Sequence, residues 1–218
     1  VEYFIDTKII IIPYIAHPFR KDGNDYGVNF SCVCRHFGKV VCSTLSTNSP
    51  TRALDASKVY RDALDRFADP IAPIFGETWL TTIRSAIPNF AYLPHLALMP
   101  LDFTPDNVFM VDDRCVFIDP WAQQTYLGHP AIAIGQFMTL AMIYQIPFDK
   151  KILDTLISGL LGSITATLQC TSKETSDAFF SGCILQTVLS AFVRKDSEPT
   201  RAKEFAGLAL EFVRERNQ

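Results

Sequence analysis

Leu101-Asp-Phe-Thr-Pro-Asp-Asn107-Val-Phe-Met-Val111-Asp-Asp-Arg-Cys115-Val-Phe-Ile-Asp119 is the stretch on which the reading of this chain turns. Asp102 and Asn107 stand five residues apart on a short loop. Two apolar runs follow, Val108 to Val111 and Cys115 to Ile118, separated by the polar Asp112-Asp113-Arg114, a pattern that predicts a tight hairpin. The hairpin brings Asp119 back toward Asn107, so that two carboxylates and an amide converge. That grouping suits phosphoryl transfer from a nucleotide: one Asp accepts the hydroxyl proton, while an Asn and a second Asp hold Mg²⁺ on the phosphates. Asp102 and Asp106 also suit turn positions, and Asp119 a strand end.

The same residues resemble a known family. Leu101-Asp102 through Asn107-Val-Phe-Met-Val is similar to the H-G-D-L-H-P-x-N-h-h loop of the aminoglycoside phosphotransferase and choline kinase-like families. Ile118-Asp119-Pro120 resembles the I-D-P metal segment of streptomycin-type phosphotransferases and fructosamine kinases. Gly128-His129-Pro130-Ala131 resembles the G-D-P-A that follows it. The resemblance runs from about residue 92 to 145. It implies an α+β, protein-kinase-like fold: a large helical C-terminal lobe with a small β portion, the N-terminal lobe being largely absent. It further implies Asp102 as catalytic base, Asn107 and Asp119 as Mg²⁺ ligands, and ATP or GTP as phosphoryl donor. Trp121, just past the metal segment, is read either as a wall of the nucleotide cleft or as a core tryptophan.

Four positions depart from the family pattern. Pro100 and Leu101 replace His and Gly, Thr104 replaces a second His, and Ala133 stands where an Asp braces the loop. A base held about an ångström out of place costs about a hundredfold in rate. These replacements therefore fit a slow enzyme, an unusual substrate, or a noncatalytic module that binds through its cleft. Upstream, no G-x-G-x-x-G occurs before Asp102. Lys8 to Ile15 reads as a buried apolar strand at the spacing of the hinge in the resembled families, so the chain is expected to begin at the hinge. Lys39 lies too near Asp102 to be the phosphate-binding strand lysine and reads as a solvated residue at a Gly turn.

Composition sets wider bounds. With 48% hydrophobic and 20% charged residues over 218, the chain can bury one substantial core and is not disordered. A formal net charge of −3 provides no general attraction to nucleic acid or acidic lipid, which leaves a nucleotide, a small-molecule substrate, a missing lobe or a protein as partners. Six scattered cysteines without a secretory leader read as buried free thiols in a reducing, cytoplasmic setting. Cys32-Val-Cys34-Arg-His36 with Cys42 lacks the usual spacing of a zinc site, and half-buried strand residues are the simpler reading. A Ser-His-Asp hydrolase finds no G-x-S-x-G. His129 either reaches the cleft or caps the next helix.

Residues 1–48 are read as a hinge and β-rich segment, with strands at Val28 to Cys34 and Lys39 to Leu45 besides Lys8 to Ile15. Residues 49–218 are read as a mainly helical phosphotransferase-like lobe. Its helices are expected over about Thr51 to Phe67, Glu77 to Ser85, 130–145, 149–169, 174–194 and 199–216, the last started by Ser197-Glu-Pro199. Pro130 to Phe148 has no charged residue, but Gly135, Gln136, Gln145 and Pro147 make it a poor membrane span and a good buried helix.

Overall fold

The computed structural model describes residues 2–4, 9–11, 56–86, 97–100, 108–111, 114–117, 125–143 and 150–217. In chain order these form β1 (Glu2–Phe4), β2 (Ile9–Ile11), α1 (Ala56–Ala68), a 3₁₀ turn (Asp69–Ile71), α2 (Ala72–Phe75) and α3 (Glu77–Ser85). There follow β3 (Ala97–Pro100), β4 (Val108–Val111), β5 (Arg114–Phe117), β6 (Thr125–Gly128), α4 (Ala131–Ile143), α5 (Lys150–Leu168), α6 (Ser172–Arg194) and α7 (Pro199–Arg216).

Helix α4 organises the rest. It is apolar on every side, and a helix without a polar face must be enclosed by others. Along it only Met142 is exposed. It crosses α6 backbone against backbone: a Cβ on Gly135 would lie 2.1 Å from Phe179 O, and one on Gly182 would lie 2.0 Å from Ile132 O. Only glycine permits that approach. At the crossing the Cys183 thiol donates to Gly135 O at 3.6 Å. Helix α6 is long and apolar enough by composition to span a bilayer, with mean hydropathy 1.4, but 61% of that window is buried within the fold.

Helices α1, α5 and α7 also pack against α6, and α3 packs against α7. From α1, Tyr60 is buried and its hydroxyl donates to Ser181 O at 2.6 Å. From α3, Trp79 Nε1 donates to Ala206 O of α7 at 3.0 Å. Arg216 near the end of α7 donates through Nη1 to Ala86 O, and its Nε lies 3.4 Å from Asp177 of α6. Leu64, Ile71, Ile83, Ile132, Ile184 and Val188 are buried in one core, each stabilising the fold by roughly 1.5–3 kcal/mol relative to exposure.

Helix α5 is peripheral. Among its described side chains only the stripe Leu160, Ile164, Leu168 is buried, the i, i+4, i+8 spacing of one helical edge. It ends in a Schellman turn: Gln169 adopts φ +53°, Gln169 N–H donates to Ala166 O, and Cys170 N–H to Thr165 O. Two residues later α6 starts with a capping box. Thr171 Oγ1 accepts from Glu174 N–H at 3.1 Å, and the Glu174 carboxylate accepts from Thr171 N–H at 2.7 Å.

This architecture corrects the α+β, kinase-like expectation. Among the described residues the buried apolar core belongs to helices and the turns that join them. Among the described residues the strands form three separate antiparallel pairs, β1 with β2, β3 with β6 and β4 with β5, with three or four residues per strand and no common sheet. Pairs that short bury little apolar surface of their own, so the described core is built by helices. The phosphotransferase-like loop fixed a local pattern in the sequence reading and carried no information about how the helices pack. Of the strand expected over Lys8 to Ile15, Ile9–Ile11 is described; those expected at 28–34 and 39–45 lie outside the described residues.

Candidate functional site

Asp102, Asn107, Asp119 and Trp121 lie outside the described residues, as do Lys39 and the Cys32, Cys34, His36, Cys42 group. The described strands bracket the first four. Strands β4 and β5 pair from Val108 opposite Phe117 to Val111 opposite Arg114, leaving Asp112-Asp113 as the connection. Strands β3 and β6 pair from Ala97 opposite Gly128 to Pro100 opposite Thr125. The two pairs are nested in the chain. Residues 101–107 connect β3 to β4, and residues 118–124 connect β5 to β6. Asp102 and Asn107 belong to the first connection, Asp119 and Trp121 to the second. Asn107 adjoins Val108, and Asp119 is two residues from Phe117, the partner of Val108. Paired α-carbons in antiparallel strands lie about 4.5–5.5 Å apart, so the anchors of the two connections are neighbours.

Strand β6 leads directly into His129, which is fully buried. The residue caps α4: Ala131 N–H donates to its Nδ1 at 3.2 Å, and Ile132 N–H donates to its carbonyl at 3.0 Å. Of the two roles read from sequence, the cap is the one present. Burial pushes the His129 pKa down to about 4, opposed by the field of Glu174, so the ring is neutral at pH 7. With Nδ1 accepting, the remaining proton belongs to Nε2, an assignment that follows from the hydrogen-bond pattern.

That proton points at Cys170, whose sulfur is 3.6 Å from Nε2. The polar chain continues through Thr175 Oγ1, 3.2 Å from the sulfur, to Thr165 Oγ1 at 2.7 Å and on to Leu161 O at 2.8 Å. Its direction follows from the last bond, since Thr165 must donate to a carbonyl. Thr165 therefore accepts from Thr175, Thr175 accepts from the Cys170 thiol, and Cys170 accepts from His129. With Nε2 protonated and Nδ1 occupied, His129 has no lone pair free to take the thiol proton. The pair is a structural tie rather than a nucleophile with its base. Cys170 and His129 stand 41 positions apart with no motif joining them, so no sequence signal announced their meeting.

Two further features bear on chemistry. Ala133, where the resembled family has an Asp, is fully buried in α4. Among the described residues no group of three or more His, Cys, Asp or Glu side chains is placed to hold a metal ion. A groove of about 370 Å³ runs between α2, α3 and α7, lined by Phe75, Trp79, Lys203, Ala206 and Leu210 among others. Comparison of the chain with known protein families, with curated proteins and with solved structures finds no match.

Proposed function

We propose that this chain acts in Mg²⁺-dependent transfer of the γ-phosphoryl group of ATP or GTP to a hydroxyl of a small polar molecule. Asp102 is the base that accepts the hydroxyl proton; Asn107 and Asp119 are the ligands of the cation that bridges the phosphates. Trp121 stacks against the nucleotide. The single observation that supports the reading is the nested pairing of β3 with β6 around β4 with β5. It anchors the two connections that carry these residues, with Val108, next to Asn107, opposite Phe117, two residues from Asp119. Such anchoring is what a cation shared by two distant chain segments requires.

A second reading, a noncatalytic module that binds a ligand or protein without turnover, draws on one observation. Ala133 is enclosed in the α4 core, so that position offers no carboxylate to brace the loop. Thermal unfolding of the full-length protein with millimolar Mg²⁺ and an ATP analogue separates these readings. At a hundred times Kd, binding stabilises by about 2.7 kcal/mol, and Asp119→Ala is expected to remove that shift. No shift in the wild-type protein removes the nucleotide site altogether. A shift without phosphate release or product, unchanged by Asp102→Asn, favours the binding module.

A further inference from the structure

We infer that His129 is a pH-sensitive latch: its neutral ring ties the β6–α4 junction to the α5–α6 turn, and protonation releases it. The inference stands apart from the phosphotransferase reading. One imidazole joins three parts of the chain, since it follows β6 directly, accepts from Ala131 N–H at the start of α4, and donates to Cys170 between α5 and α6. The Thr175 and Thr165 hydroxyls carry the tie onward into both flanking helices.

Protonation breaks this arrangement for a geometric reason. The second proton must enter at Nδ1, 3.2 Å from Ala131 N–H, and two donors then face each other where a donor and an acceptor stood. The new charge is fully enclosed, and burying an unpaired charge is costly. Relief from the surroundings is small. Helix α4 carries no charged residue, α5 contributes the Thr165 hydroxyl to the chain, and the α5–α6 turn contributes Cys170. From α6, Glu174 is the described charge whose field reaches the ring, but its carboxylate is already held by Thr171 N–H at 2.7 Å and by the Thr171 hydroxyl at 2.9 Å. The protonated ring therefore gains most by swinging into water, which frees the first turn of α4. The sign follows from linkage: the open form binds the proton near the ordinary value of 6.5, the closed form only near 4, so opening is favoured as pH falls between them.

Hydrogen exchange of the amides in 129–135, corrected for intrinsic pH dependence, reads the latch directly. Their opening equilibrium is expected to rise toward tenfold per pH unit below about 6.5, reaching about 160-fold at pH 4 and levelling off near about 300-fold below it, and to lose that dependence in His129→Gln. Equal pH dependence in the variant overturns the proposal. Nitrogen NMR of the imidazole in the wild-type protein decides the matter if the variant does not fold. An Nε2–H tautomer that titrates well below pH 6 only with loss of Ala131 protection supports the latch; an Nδ1–H tautomer, or titration near 6.5 in the closed state, overturns it.

Discussion

Replacing Gly182 by alanine tests the central packing claim, because the same substitution is expected to have opposite signs at two places in this chain. At Gly182 the added Cβ would lie 2.0 Å from Ile132 O, 2.8 Å from its carbonyl carbon and 3.0 Å from its Cα, all backbone atoms that no rotamer change can move aside. Ordinary contact begins near 3.4 Å, so α4 and α6 must separate by about 1.4 Å. A gap of about 1 Å already forfeits up to half of the attraction between facing atoms. Overpacking of this kind costs about 1–3 kcal/mol or more, against which alanine returns about 1 kcal/mol in helix propensity. A net loss of about 2 kcal/mol is expected, or roughly 4–8 °C in melting temperature for a chain of this size. On the exposed face of α5, Gly162 has no atom within 4 Å of an added Cβ, so Gly162→Ala is expected to stabilise by up to about 1 kcal/mol. Urea unfolding with a common m-value measures both. If Gly182→Ala unfolds at the same or a higher urea concentration than the wild type, the two helices do not meet through their backbones.

Three other outcomes follow from the described packing. Tyr60→Phe leaves Ser181 O without its 2.6 Å donor in a buried place and is expected to cost about 1–2 kcal/mol in urea unfolding; a neutral result would mean that the bond is absent. Thr171→Ala removes the cap of α6 at a cost of about 1 kcal/mol. Because the Thr171 N–H and hydroxyl hold Glu174 below the ordinary carboxylate range, the stability from that cap is present above the unfolded carboxylate value and lost as pH falls through the lower folded one. The difference between wild type and Thr171→Ala should then shrink in acid, and a gap that widens there would refute the capping box. Burial pushes the Cys183 thiol up to about 12, whereas Cys170 is half-buried; alkylation of the native protein near pH 8, read by mass spectrometry, should label Cys170 and spare Cys183.

Much of the helical framework could be read from local chemistry. Apolar residues on nearly every side from Ile132 to Ile143 announced α4, and Ser197-Glu-Pro199 marked the start of α7, where Pro occupies the first turn. The helix expected at Glu77 to Ser85 is present with those bounds, whereas the one expected from Thr51 is described from Ala56. What the sequence could not display was tertiary. Gly135 counted only as a mark against a membrane span, because its function depends on Gly182, a residue with no sequence relation to it. The expectation for the six cysteines, buried free thiols, describes Cys183 but not the half-buried Cys170. The α+β class rested on a motif confined to residues 101–119, and such a motif does not determine which faces the following helices bury. The hairpin was readable for the opposite reason: a polar turn between β-branched or aromatic runs constrains only its own neighbours, although Arg114, expected in the turn, opens β5 opposite Val111.

The glycine crossing also bears on how the protein is made. Ribosomes deliver the chain from its N-terminus, and α4 emerges as a greasy rod whose covering partner begins only at Ser172. For the seconds in between, at about 5–20 residues per second, nothing downstream yet exists to sheath it. Newly synthesised chains stalled after Ile143 should therefore be sticky, drawing chaperones until α6 arrives and the rod is enclosed.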